Sequence, residues 1–169
     1  MKLKLIGAVF MIFGCGRMGW KIAAAYRKEA HALDALCHAF SFMQCELRYR
    51  LTPLPYLCEA TSAAITGPVS VFFSRLSSEL KKQISPDVRC CVETVLSAEK
   101  LPQAAQVYLR LMGDTLGQFD LEGQLQGLAY LMDETTTALE NHRKDQGNRL
   151  RSYQTLGLCA GAAMAILFL

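Results

Sequence analysis

Two apolar runs lie at opposite ends of this sequence, and a basic cluster flanks each of them on its inner side. Before Arg17 the chain reads Leu5-Ile6-Gly7-Ala8-Val9-Phe10-Met11-Ile12-Phe13-Gly14-Cys15-Gly16, and after Gln154 it carries no charge as far as Leu169. The hydrocarbon core of a bilayer, about 30 Å, takes roughly 20 helical residues, so each uncharged run is short by itself. Trp20 and Tyr153 lengthen both, because amphipathic aromatics settle at the water-lipid boundary, and Lys2 and Lys4 can snorkel to the far side. The expectation is a membrane anchor over 1–19, a helical domain over 20–153 and a second anchor over 154–169. Within the second run Gly157 and Gly161 form a GxxxG pattern, which lets helices pack closely in lipid.

Three other readings of the first run stay open. A secretory signal would use Ala23-Ala24-Ala25 as its cleavage site, although Arg17 and Lys21 interrupt it. A lipobox would end at Cys15, where Phe13 is bulky. A buried core helix is opposed only weakly by Lys2 and Lys4. Either of the first two would make the chain a secreted or lipid-anchored helical binding protein with a cleaved amino-terminal signal.

The net charge of +3 is too small for a nucleic-acid binder, but its distribution is informative. Arg17, Lys21, Arg27 and Lys28 follow the first run, and Arg143, Lys144, Arg149 and Arg151 precede the second. By the positive-inside rule the domain between them faces the cytoplasm, with Lys2 and Lys4 pulling more weakly the other way. Seven cysteines, an odd number without paired CxxC spacing, fit a reducing compartment. Cys37, Cys45 and Cys58 read as small core residues. The adjacent Cys90 and Cys91 leave a redox or metal element open, but they point in different directions from a helix and read first as two unrelated packing positions.

Hydrophobic content of 51% suffices for one core besides the two ends, and its period is helical throughout. Ile22, Tyr26, Ala30, Leu33, Leu36, Phe40, Met43 and Leu47 share one face of a helix that continues from the first run and stops near Leu51. Thr52-Pro53 starts a short helix to about Ile65, with Thr52 as its cap. Gly67-Pro68 breaks it, and Val69, Phe72 or Phe73, Leu76, Leu80 and Ile84 mark the next. Ser85-Pro86 restarts the chain for Val88, Cys91, Val92 and Val95. Leu101-Pro102 opens a helix through Val107, Leu111 and Thr115 to Leu116-Gly117. Asp120 then caps a long last helix with the stripe Leu121, Leu125, Leu128, Met132, Thr135, Leu139 and His142. The fold class is all-α: an antiparallel bundle of about six helices whose long first and last members run on into the anchors.

Catalytic signatures are missing, with no Walker loop, HExxH or GxSxG pattern. His31 and His38 lie seven apart with Asp34 between them, but no further ligand completes a metal shell, and both read as surface histidines. Glu122 and Asp133-Glu134 read as a solvated face. No enzyme activity, cofactor or metal is expected.

Two stretches are more specific: Glu46-Leu47-Arg48-Tyr49-Arg50-Leu51-Thr52-Pro53-Leu54 and Leu116-Gly117-Gln118-Phe119-Asp120-Leu121-Glu122-Gly123-Gln124. With the opening Leu3-Lys4-Leu5-Ile6-Gly7-Ala8 and the closing Leu156-Gly157-Leu158-Cys159-Ala160-Gly161, they resemble the stage III sporulation protein AB family over nearly the whole chain. The sequence departs from that family's pattern between Ser85 and Gln103 and in its many cysteines. The resemblance implies a protein of endospore-forming bacteria in the mother-cell membrane around the forespore, part of the channel complex between the two cells. It also implies a soluble domain similar to the cytoplasmic domain of type II secretion F proteins. The implied partners are a stage III sporulation protein AA-type ATPase and further channel proteins, while the GxxxG pattern allows packing between copies of the chain. Thr52, Pro53, Leu116, Gly117 and Asp120 are first of all turn and cap chemistry. Glu46, Tyr49 and Gln124 are candidates for contact with one another or with a partner.

Overall fold

Helices stop in this chain where its turn residues sit, and the described residues form six of them: α1 (Lys2–Arg50), α2 (Leu54–Ala64), α3 (Pro68–Lys82), α4 (Val88–Ala98), α5 (Gln103–Thr115) and α6 (Leu121–Phe168). The computed structural model describes the backbone of residues 2–82, 87–117 and 120–168, and the side chains of 24–82, 87–117 and 120–144. Among the described residues there is no strand. The chain divides into two units, Glu29–Glu140 and a second made of Met1–Lys28 with Asn141–Leu169.

Within Glu29–Glu140, α1 and α6 run antiparallel. Cys37 Sγ lies 3.7 Å from Thr136 Oγ1, and about two turns further along α1 Gln44 donates to the Leu125 carbonyl at 3.3 Å. The buried face of α1 is Leu33, Leu36, Phe40, Met43 and Leu47 as expected, widened by Ala32 and Ala39. The face of α6 is Leu125, Leu128, Leu131, Thr135 and Leu139. Leu131 thus does more than the expected Met132, which is only partly buried. Thr135 is tolerated there because its hydroxyl donates to the Leu131 carbonyl one turn back, leaving no unpaired donor in the core.

The four short helices complete this core with Leu57, Cys58, Val69, Phe72, Phe73, Leu76, Val92, Val95, Leu109 and Met112. Gly67, at φ 86°, turns α2 into α3, and Ser70 Oγ closes the hairpin by donating to the Ser62 carbonyl at 2.7 Å. Phe72 and Phe73 are both buried, their rings edge to face at 5.5 Å, so the choice between them does not arise. Asp87 caps α4 by accepting from the Arg89 amide at 3.1 Å. Ile84 and the expected restart at Ser85-Pro86 lie outside the described residues.

Three local expectations need correction. Thr52 does not cap α2: Pro53 occupies the capping position, and the Thr52 hydroxyl turns back to α1. On α5 the buried face is Ala105, Leu109, Met112 and Leu116, whereas Val107 and Leu111 are exposed. Apolar residues occupy two faces of that helix. The face with Gly113 is the one that meets α4, since a β-carbon there would already stand 3.1 Å from Val92. Cys45 is exposed and Cys37 half-buried, leaving Cys58 as the core cysteine of those three. Position 45 falls about 200° around the helix from both Met43 and Leu47, away from the stripe. For the adjacent pair, Cys91 is buried and Cys90 exposed, as two independent positions.

Burial pushes the Cys58 thiol up from the ordinary 9.0 to about 12. Mass-mapped thiol labelling at pH 8 is therefore expected to modify Cys45 and Cys90 in the folded protein and Cys58 only after denaturation. The folded state holds the Cys58 proton more tightly than the unfolded state does. Stability from this source is intact below about pH 9 and declines as pH rises from there toward 12, which urea titrations at stepped pH will show.

In the second unit, Tyr26 of α1 and His142 of α6 meet with ring centroids 5.5 Å apart, so His142 is the helix-helix contact its place in the stripe suggests. The backbones of the expected anchors are helical from Lys2 and to Phe168, while their side chains, with Gly157 and Gly161, lie outside the described residues. Among the described residues no helix is long and apolar enough to cross a membrane. The uncharged run Leu5–Gly16 covers only about 18 Å as a helix. The six-helix fold stands on its own, and the two anchors do not follow from it.

Candidate functional site

The two motifs singled out by the sequence meet in space. At the end of α1, Glu46 is partly enclosed and holds two partners: Oε1 pairs with Arg50 Nη1 at 3.3 Å, and Oε2 accepts from the Thr52 hydroxyl at 3.2 Å. The carboxylate thereby ties the last turn of α1 to the bend into α2. Leu51, between the two partners, adopts φ 52° to make that bend. The Pro53 carbonyl then accepts from the Tyr56 and Leu57 amides at 3.0 and 2.9 Å, starting α2.

The second motif forms the turn from α5 to α6. The Leu116 amide closes α5 onto the Met112 carbonyl at 2.9 Å, with the Leu116 side chain in the core. Gly117 follows at φ 84°, and a β-carbon there would meet Val88 at 2.8 Å, so both backbone and space require glycine. Gln118 and Phe119 lie outside the described residues. Asp120 caps α6: its side chain accepts from the Gly123 amide and its carbonyl from the Gln124 amide, each at 3.0 Å.

A shallow apolar groove of ≈ 260 Å³ lies between these turns. The first motif supplies Leu47, Leu51, Thr52, Pro53 and Leu54, and the second supplies Gly117, Leu121 and Gln124. Of the expected site residues, Thr52, Pro53, Gly117 and Gln124 line it. Glu46 stands behind Thr52, Leu116 and Asp120 set the opposite turn, and Tyr49 is 78% exposed on the last turn of α1. Leu51 and Leu121 line the groove as well and are 64% and 41% exposed, so Leu121, expected at the head of the buried α6 stripe, faces the groove instead. No lining side chain is titratable, and the polar side chains of the lining are Thr52 and Gln124. His31 and His38 lie elsewhere, exposed, with His38 Nε2 3.9 Å from Asp34.

The Thr52 hydroxyl can be removed without changing shape. Thr52→Val is expected to cost about 1 kcal/mol in urea unfolding, the net worth of a partly enclosed hydrogen bond to a carboxylate. A change below a few tenths would show that Glu46 does not hold the bend.

The family model for stage III sporulation protein AB matches residues 4–169. The chain belongs to the stage III sporulation protein AB family. Among relatives, stage III sporulation protein AB of Bacillus subtilis (strain 168) is 25% identical over 171 residues, covering 99% of each chain. A solved structure of stage III sporulation protein AB shares the fold, with a TM-score of 0.62 at 20% identity over 72% of this chain and 98% of that one. Membership of the stage III sporulation protein AB family makes this a sporulation protein, and the groove between its two motifs is the candidate site.

Proposed function

We propose that this protein is a non-enzymatic platform of a sporulation channel complex, held at the mother-cell membrane around the forespore by its two ends. Its helical domain faces the cytoplasm and docks a secretion-type ATPase, in the manner of type II secretion F proteins. The observation that carries this reading is the meeting of both sequence motifs at one apolar groove. Charge supports the orientation. Glu29–Glu140 holds eight lysines and arginines against fourteen carboxylates, a net −6, whereas the remainder holds ten against one, a net +9. Anionic lipid attracts the basic ends, by about 1 kcal/mol for each basic residue near the surface, and repels the acidic domain.

Co-purification of the full chain in detergent with the stage III sporulation protein AA-type ATPase tests docking. Failure to bind, with the domain shown folded by circular dichroism, removes the platform reading. Ultracentrifugation of detergent-free lysates tests the anchors: the full chain is expected in the pellet. A mature amino terminus at Cys15 or beyond it, seen by mass spectrometry, would favour a lipid-anchored or secreted binding protein instead, whereas an intact Met1–Gly16 excludes cleavage.

A further inference from the structure

Leu51 combines two unfavourable features. It is the one non-glycine residue with positive φ among the described residues, in the left-handed region where a β-carbon crowds the following carbonyl. Its apolar side chain is also mostly in water. Glycine or asparagine is the usual occupant of the position after a helix end, and strain retained there points toward function.

Leu51 faces the groove together with Leu121, and the last turn of α1 adds the exposed Arg48, Tyr49 and Arg50. Arginine and tyrosine are the side chains on which interfaces concentrate binding energy. The carboxylates near the groove are already engaged: Glu46 by Arg50 and Thr52, Asp120 by the Gly123 amide, and Glu122 by Gln126. Arg48 has no ion-pair partner among the described residues, whereas Arg75, Arg89 and Arg110 are each tied to a carboxylate.

We infer that this corner docks a partner segment that places one large apolar side chain between Leu51 and Leu121 and sets a carboxylate against Arg48. The groove volume of ≈ 260 Å³ admits one such side chain, and the free guanidinium selects for acidic flanks. The inference rests on the reading of the domain as a docking platform and adds the chemistry of the segment it receives.

The test uses the full chain in nanodiscs and two fluorescein-labelled peptides, each with a single phenylalanine, flanked by glutamates in one and by lysines in the other. Fluorescence anisotropy is expected to show the glutamate peptide binding at least tenfold more tightly. Leu51→Gly and Arg48→Glu should each weaken that binding at least tenfold. Because glycine is at ease at φ 52°, Leu51→Gly should keep or raise the unfolding midpoint, so lost binding is not lost fold. Equal binding of the two peptides, binding of neither, or binding unaffected by both variants overturns the inference. The ATPase is then titrated against the same three proteins. Binding to wild type that both variants weaken supports the inference, whereas equal binding to all three overturns it and leaves the platform reading intact. If the glutamate peptide binds as expected and the ATPase binds nothing, the inference stands and the ATPase reading falls.

Discussion

Phe40→Ala is expected to remove about 3–5 kcal/mol of stability, a large share of the 5–15 kcal/mol that a domain of this size holds in total. The Phe40 ring is fully buried near the middle of the α1 face, with Leu36 and Met43 one turn to either side and both inaccessible. Truncation loses the transfer free energy of the ring and leaves a cavity, because interiors this dense collapse only in part. Urea unfolding should show the whole loss in the midpoint, with the slope unchanged if the native state stays compact. Tyr49→Ala on the same helix is the control. That ring is largely in water, and its removal is expected to change stability by less than about 0.5 kcal/mol. Similar losses from both variants would mean that the α1 face is not the one described.

The contrast between Phe40 and Tyr49 also shows what could be read from the sequence. Spacing by three and four placed Phe40 on the α1 stripe and left Tyr49 outside it. Boundaries were legible where turn chemistry is explicit, at Thr52-Pro53, Gly67-Pro68, Leu116-Gly117 and Asp120. Periodicity failed on α5, whose apolar residues form two faces. Only the approach of α4 at Gly113 decides that Leu109 and Met112 go inside while Val107 and Leu111 stay out. Leu121 failed for a related reason: it continues the α6 stripe in register, but it lies beyond the last turn that the other helices cover.

For the site, both motifs were legible and their meeting was not. Leu51 and Leu121 are 70 residues apart in sequence, and only the packing of the short helices brings their turns to opposite sides of one groove. The left-handed backbone of Leu51 had no signal at all, since leucine does not advertise positive φ as glycine or asparagine would. Cap chemistry was assigned by residue type, which served for Asp120. It misdirected for Thr52, because the enclosed carboxylate of Glu46 competes for that hydroxyl and a charged acceptor is the stronger partner.

Gly127 is the position where a single added carbon should do most harm. A β-carbon there would stand 2.0 Å from Thr115 Cγ2 and 3.3 Å from Thr115 Cβ, so α5 and α6 approach closely only because position 127 has no side chain. The Thr115 side chain is short, and its hydroxyl is held by the Leu111 carbonyl at 2.9 Å, which limits how far it can turn away. Gly127→Val is accordingly expected to destabilise by about 1–3 kcal/mol despite its higher helix propensity at an interior position, because overpacking outweighs the roughly 0.3 kcal/mol that exchanging glycine for valine restores. Gly127→Ala tests the same contact with the smallest possible probe. Thr115→Ser deletes the obstructing methyl and keeps the hydroxyl bond, so the Gly127→Ala, Thr115→Ser double variant should recover most of the loss. A double-mutant cycle in urea should give a coupling of about 1 kcal/mol. Strict additivity of the two changes would place the close approach of α5 and α6 somewhere other than Thr115 and Gly127.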